Sequence, residues 1–196
     1  MKKGEKRKQE LLDIAYKMFL SKGYENTSVD EIIEAAGIAK GTYYYYFESK
    51  EAMLEEVIGM MIDKEVSDAK LVLESDADVP QKIAGIIASL RPAEDESTIE
   101  NALNRPENIV MHDKINRMIV EKAVPLLSEA VSEGAREGIF ACDNIPERVR
   151  MLLVISNETF NDREYTDADV DVFIEITEKL FNAQPGTMAF VRALIR

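Results

Sequence analysis

Thr27-Ser28-Val29-Asp30-Glu31-Ile32-Ile33-Glu34-Ala35-Ala36-Gly37-Ile38-Ala39-Lys40-Gly41-Thr42-Tyr43-Tyr44-Tyr45-Tyr46-Phe47 is the stretch that decides the fold. Ser28 followed three residues later by Glu31 forms the pattern of a capping box, so a helix starts there. Val29, Ile32, Ile33 and Ala36 share one face of that helix. Gly37 suits a tight turn with positive φ, and Ile38 can anchor that turn in the core. Tyr43 to Phe47 prefer strands by intrinsic propensity, but no segment before residue 50 could pair with a strand. The spacing therefore predicts a second short helix over Ala39 to Phe47, with some rings inward and others outward.

Working outward, Leu11, Ile14, Ala15, Met18 and Phe19 recur at steps of three and four, predicting a helix from near Glu5 to just before Gly23. Ser49 caps a fourth helix whose apolar side is Met53, Leu54, Val57, Ile58, Met61 and Ile62 and which continues beyond Lys70 as a connector. The rest reads as helical, over 80–90, 97–104, 109–136, 146–161 and 168–182. Breaks fall near Pro80, Pro92, Pro106, Gly138 and Pro146, and Pro125 is expected to kink or divide the long third segment. The fold class is all-α. The domain boundary is expected within or beside the connector helix, separating a first domain over 1–50 from a larger helical domain over 51–196.

The chain has 196 residues, 46% of them hydrophobic, enough for one ordinary domain or two small ones with real cores. Its single cysteine, Cys142, excludes an intramolecular disulfide, and no charged start followed by an apolar core marks a secretory signal. No apolar run approaches the roughly 18 residues of a membrane helix. A cytoplasmic protein without a membrane partner is expected. The net charge of −13 is unevenly placed: residues 1–50 hold nine Lys and Arg against eight Asp and Glu, and the remaining 15 and 29 follow. A near-neutral first segment can grip phosphates through a few placed groups, while the acidic remainder weakens indiscriminate DNA binding.

Two short helices around a tight turn, packed on a preceding helix, form a helix-turn-helix whose second member enters the major groove. The run Thr27 to Ile32, Ala36 to Phe47 and Ser49-Lys50-Glu51 resembles the N-terminal signature of the TetR family of transcriptional regulators, and the match extends over residues 8–58. The resemblance implies a homodimer that binds double-stranded DNA and a small-molecule effector. It places the recognition helix at Ala39 to Tyr45, with Lys40, Gly41, Thr42 and Tyr44 nearest DNA and Lys50 at the start of the next helix. Lys40 can donate to guanine or phosphate, Thr42 suits a base edge or the thymine methyl, and Gly41 permits close backbone approach. Tyr44, Tyr45 and Tyr46 are expected at the DNA face, Tyr44 and Tyr46 with hydroxyls that could reach successive phosphates. A phosphate would also offset the unfavourable placement of Lys50 in the first turn of a helix. Ser28 reads first as a cap, with a phosphate contact as its second role. Lys2, Lys3, Lys6, Arg7 and Lys8 read equally as a loose DNA-contacting arm or a solvated terminus.

An adaptable apolar effector pocket is expected from Met60, Met61, Met111, Met118, Phe160 and Phe173, with Asn116, Arg117, Glu121, Asn157 and Glu158 as polar contacts. The acidic excess would admit a cationic or neutral apolar effector, but surface charge does not reveal the charge of a pocket. Val149, Leu152, Leu153, Ser156 and Phe160, with Val170, Phe173, Ile174, Thr177 and Phe181, fit a dimer seam. In the family the last two major helices pair with their symmetry mates, and Met188 to Ile195 is expected to pack across them. The alternative is that these faces complete a monomer core.

One histidine, His112, and distant Cys142 make no ligand set, and the acidic groups Glu94-Asp95-Glu96 and Asp167, Asp169, Asp171 most often face solvent. No metal and no cofactor are expected. There is no phosphate loop, nucleophile elbow or HExxH, so no enzyme is expected. The reading is a ligand-responsive repressor on a palindromic operator. Its rivals are an activator, a regulator answering to a protein partner, and a helical enzyme or structural protein that does not bind DNA.

Overall fold

The computed structural model describes residues 3–91, 97–105, 108–160 and 164–195. Among the described residues the chain is all-α: α1 (Lys3–Lys22), α2 (Val29–Ala36), α3 (Lys40–Tyr46), α4 (Lys50–Leu73), α5 (Val79–Ser89), α6 (Ser97–Leu103), α7 (Ile109–Arg136), α8 (Ile145–Phe160), α9 (Asp167–Phe181) and α10 (Val191–Leu194). By packing it falls into two units. The first is Met1–Lys64 with Pro92–Ile115, and the second is Glu65–Arg91 with Asn116–Arg196. Both α4 and α7 change unit partway along their length.

In the first unit α1 packs on α2 and α6. Leu11, Ala15 and Phe19 of α1, Ile32 of α2, Tyr43 of α3 and Met53, Leu54 and Val57 of α4 are fully buried. The helix-turn-helix forms for the reasons its sequence supplies. Ser28 Oγ accepts the Glu31 N–H, and the Glu31 carboxylate accepts the Ser28 N–H in return. Gly37 closes α2 at φ 60°, where its N–H reaches the Glu34 carbonyl. α1 begins at Lys3, so the segment from Lys3 on is helical rather than a loose arm; Lys2 lies outside the described residues. Arg7 is paired with Glu10, and Lys8 with Glu56 at 2.5 Å.

The second unit has its own core, built from Ala69, Val79, Ile83, Ile86, Leu127, Ala130, Val131, Phe140, Val149, Phe173 and Phe181. Asp78 caps α5 through a box with Gln81, and Thr166 caps α9 through a box with Asp169. At Gly134 a Cβ would sit 2.6 Å from the Phe140 ring and 3.0 Å from Val79, so α7 is packed too closely there for any side chain. Lys82 of α5, buried, donates to both carboxylate oxygens of Glu133 on α7 at 2.8 Å.

Pro125 does not divide α7, which runs unbroken from Ile109 to Arg136. Both Pro125 and Glu121, whose carbonyl loses its helical donor, are exposed, so water can satisfy that carbonyl. The expected breaks at Pro92 and Pro106, and the cluster Glu94-Asp95-Glu96, lie outside the described residues. Of the other acidic group, Asp169 is spent on the α9 cap, and Asp171 and Asp167 pair with Arg192.

Candidate functional site

α3 is only seven residues long, and its two faces differ sharply. Tyr43 is fully buried and Phe47, which follows the helix, nearly so. Their rings lie 5.7 Å apart, and the Tyr43 hydroxyl donates to the Ser49 carbonyl at 3.3 Å. Burial pushes the Tyr43 phenol up to about 12, so it stays protonated. The opposite face presents Lys40 and Gly41, with Tyr44 48% and Tyr45 80% exposed. Large aromatic area held in water on a short, well-anchored helix is the mark of a contact surface. Nothing in the protein lies within 4 Å of a Cβ built on Gly41, so the space in front of that backbone is open to a partner.

Lys40 reaches back across the turn to Asp30 at 3.1 Å, with both side chains well exposed. That hydrogen bond holds its ammonium above the usual lysine range. Thr42 is half-buried beside this face. Tyr46 is half-buried as well: it stacks edge to face on Tyr45 at 4.9 Å, and its hydroxyl lies 3.7 Å from a Cβ placed on Gly4 of α1.

Two expected DNA contacts have their polar groups turned to the protein instead. Ser28 spends its hydroxyl on the cap, accepting the Glu31 N–H and donating to the Glu31 carboxylate at 2.8 Å. Lys50 donates to the carbonyls of Tyr24 at 2.9 Å and Thr27 at 3.1 Å, and its ammonium sits 4.0 Å from the centre of the Tyr24 ring. The conflict between Lys50 and the α4 dipole is thus offset by carbonyls at the end of the α1–α2 connection, with no phosphate required. Sequence spacing gave no sign of this, because the acceptors are backbone atoms 26 and 23 residues away. The Lys40–Asp30 tether was equally hidden.

The cap has a pH signature. Hydrogen bonds from Lys22 and from Ser28 hold the Glu31 carboxyl at about 2, against an ordinary 4.5. A depressed carboxylate contributes stability above its unfolded pKa, and that contribution disappears as the pH falls through the folded value. The stability advantage of the wild type over Glu31→Gln is therefore expected to be full at pH 6 and to shrink between pH 4.5 and 2, as read from urea midpoints across that range. An advantage independent of pH would contradict the assignment.

The second unit encloses an apolar cavity of about 120 Å³. Ile83 and Ile87 of α5, Leu127 and Val131 of α7, and Val149, Leu152, Leu153 and Ser156 of α8 form three of its walls. Phe173, Thr177 and Phe181 of α9, together with Met188, Val191, Leu194 and Ile195 from the C-terminal segment, complete it, with Arg91 on the exposed side. Of the six residues expected to form the effector pocket, Phe173 lines this cavity. Met60, Met61 and Met111 belong to the first unit, where Met60 Sδ accepts from Gln9. Met118 is in the second unit but off the lining, and Phe160 packs edge to face on Phe173 at 5.2 Å instead. None of Asn116, Arg117, Glu121, Asn157 and Glu158 lines it.

The expected dimer seam also turns inward. Val149, Leu152, Val170, Phe173, Thr177 and Phe181 are buried within the chain, and Leu153, Ser156, Phe160 and Ile174 are half-buried. Most of them line the cavity or pack on the core of the same chain. The C-terminal segment packs on its own α5 and α9 through α10. The outward faces carry Met151, Val154 and Ile155 of α8 and Val172 and Ile176 of α9, all exposed.

Among the described residues no cluster of three His, Cys, Asp or Glu could hold a metal, and no helix is long and apolar enough to cross a membrane. The model of the bacterial regulatory proteins of the tetR family matches residues 11–57, the stretch holding the helix-turn-helix just described. Residues 11–57 are thus a TetR-family DNA-binding domain, and a DNA-binding regulator is the coarse function of the chain. The chain is 27% identical over 148 residues to the transcriptional repressor KstR2 of Rhodococcus jostii, covering 70% of this chain and 69% of that protein. It is 29% identical over 146 residues to the fatty acid metabolism regulator protein of Bacillus subtilis, covering 70% and 73%. In fold it is similar to RolR solved with resorcinol, at 18% identity and a TM-score of 0.62 over 98% of this chain and 94% of that one. A TetR-family regulator of Mesorhizobium loti gives 21% identity and a TM-score of 0.57 over 92% and 97%.

Proposed function

We propose that this TetR-family chain is a repressor that holds a palindromic operator as a homodimer and is released by a small molecule bound in the second unit. Residues 1–50 serve as the DNA-reading domain, and 51–196 supply effector binding and dimerisation. The observation that carries the reading is the outward face of α3. Lys40, Gly41, Tyr44 and Tyr45 stand in solvent there, while Tyr43 and Phe47 lock the helix from behind. Tyr44 and Tyr45 offer phenol hydroxyls to phosphates, Thr42 and Lys40 face base edges, and Tyr46 fixes the end of α3 beside α1. The names of two relatives, a repressor and a metabolic regulator, support the repressor sense.

Dimerisation is assigned to the outward stripe Met151, Val154, Ile155, Val172 and Ile176, since apolar side chains at helical spacing on two adjacent helices are suited to a symmetric interface. The effector acts by preferring one setting of α4 and α7, the helices that run through both units, because equal affinity for both settings would shift nothing.

Fluorescence anisotropy on a selected operator tests the DNA face. Tyr44→Ala weakens binding to all sequences, whereas Lys40→Ala and Thr42→Ala also relax preference at a base position, each by about 1–3 kcal/mol. Asp30→Asn is expected to tighten binding severalfold, because it frees Lys40 and removes a carboxylate facing the duplex. Gly41→Ala separates fold from function: it favours the helix by up to about 1 kcal/mol yet blocks close approach to DNA. A Gly41→Ala protein with undiminished operator affinity would overturn the placement of α3.

A further inference from the structure

Among the described residues, the lining of the second unit's cavity is apolar apart from Ser156, Thr177 and Arg91, and it includes one charged residue, Arg91, and no carboxylate, although the chain as a whole carries a net charge of −13. The three polar groups are unequal. The Thr177 hydroxyl already donates to the Phe173 carbonyl at 2.8 Å and keeps only acceptor capacity. Ser156, half-buried, can donate or accept. Arg91 follows the C-terminal end of α5 on the exposed side. A guanidinium offers five donors and accepts nothing, so it recognises an anion or a strong acceptor and repels a cation.

From this lining, and resting on the proposal that the cavity is the effector site, we infer that the effector is an anionic amphiphile. Its apolar body fills the space between α5, α7, α8 and α9, and one carboxylate or phosphate end lies at Arg91. The net charge of the chain and the charged group at the cavity have opposite sign. A cavity of about 120 Å³ calls for short probes, and an eight-carbon chain with different end groups is used. A free acid sets its carboxylate at Arg91, whereas a coenzyme thioester has a neutral carbonyl at that point and carries its charge on phosphates further out. The two sources are separated by comparing the free acid with its coenzyme thioester.

The test is isothermal titration of the full-length protein with octanoate, octanoyl-coenzyme A, octanol and octylamine, repeated on Arg91→Gln, Arg91→Lys and Leu153→Trp. Operator release is followed in parallel. Octanoate or its thioester is expected to bind at least tenfold more tightly than octanol, with octylamine weakest. Arg91→Gln should abolish that preference while leaving octanol affinity unchanged, Arg91→Lys should restore part of it, and Leu153→Trp should block every probe. Octanol binding as tightly as octanoate in wild type and Arg91→Gln alike, but lost in Leu153→Trp, would overturn the anionic assignment and leave the cavity as the effector site. Binding of any probe that Leu153→Trp does not reduce, or no binding at all, would overturn the cavity reading together with the inference. Arg91 is exposed and outside the core, so its variants are expected to keep the wild-type unfolding midpoint, and that midpoint is measured alongside.

Discussion

Lys50→Ala is expected to lower the unfolding free energy by about 2–3 kcal/mol, in the range for hydrogen bonds made by a charged group together with loss of its ring contact. The ammonium ties the first turn of α4 to the carbonyls of Tyr24 and Thr27, both of which are otherwise buried residues at the α1–α2 connection. Removing it leaves those acceptors to find water in a half-closed site and frees the Tyr24 ring, which also packs edge to face on Phe19 at 5.2 Å. Lys50→Met keeps the stem and should show most of the same loss, which assigns the effect to the charge. Urea denaturation followed by tyrosine fluorescence checks this. Unchanged stability with weakened DNA binding would return Lys50 to a phosphate contact.

Glu133→Ala is expected to cost about 3 kcal/mol or more, because it strands the Lys82 ammonium in the second core. Lys82 is 7% exposed and holds both Glu133 oxygens at 2.8 Å, so α5 and α7 are joined at this point by a buried fork. The pair is not itself a large source of stability: desolvation consumes much of the Coulombic gain, and Lys82→Met with Glu133→Leu is expected to come out near neutral. Unfolding midpoints for the two single variants and the double variant form a mutant cycle, and the coupling it yields is the checkable quantity. A double-variant loss equal to the sum of the two single losses would mean that the two residues act separately. Since α5 and α7 both wall the cavity, Glu133→Ala should also loosen effector binding.

Local signals carried the helix-turn-helix, and long-range ones did not carry the rest. Ser28, Glu31 and Gly37 specify a start and a stop within nine residues, so their geometry could be read directly. Tyr43 to Phe47 went against strand propensity because α1, α2 and α4 bury Tyr43 and Phe47, a tertiary effect deducible only from the lack of a pairing strand. The partners of Lys40 and Lys50 lie across the fold and are set by packing. In the second unit, periodicity marks an apolar stripe on α8 and α9, but both faces of each helix carry apolar residues, Leu152 inward and Val154 outward. Which stripe meets the core depends on α5, α7 and α10. The cavity was illegible for the same reason: its walls come from five segments with no shared motif, and the methionines that looked adaptable are mostly in the other unit.

Selection from a random duplex library by the purified protein, with affinity then followed against salt, tests the DNA-reading claim most directly. The expected result is one palindromic sequence whose half-sites lie about one helical turn apart, roughly 34–36 Å or a multiple of it, bound with a steep loss of affinity as salt rises. A folded protein that enriches no sequence in the absence or presence of octanoate would contradict it.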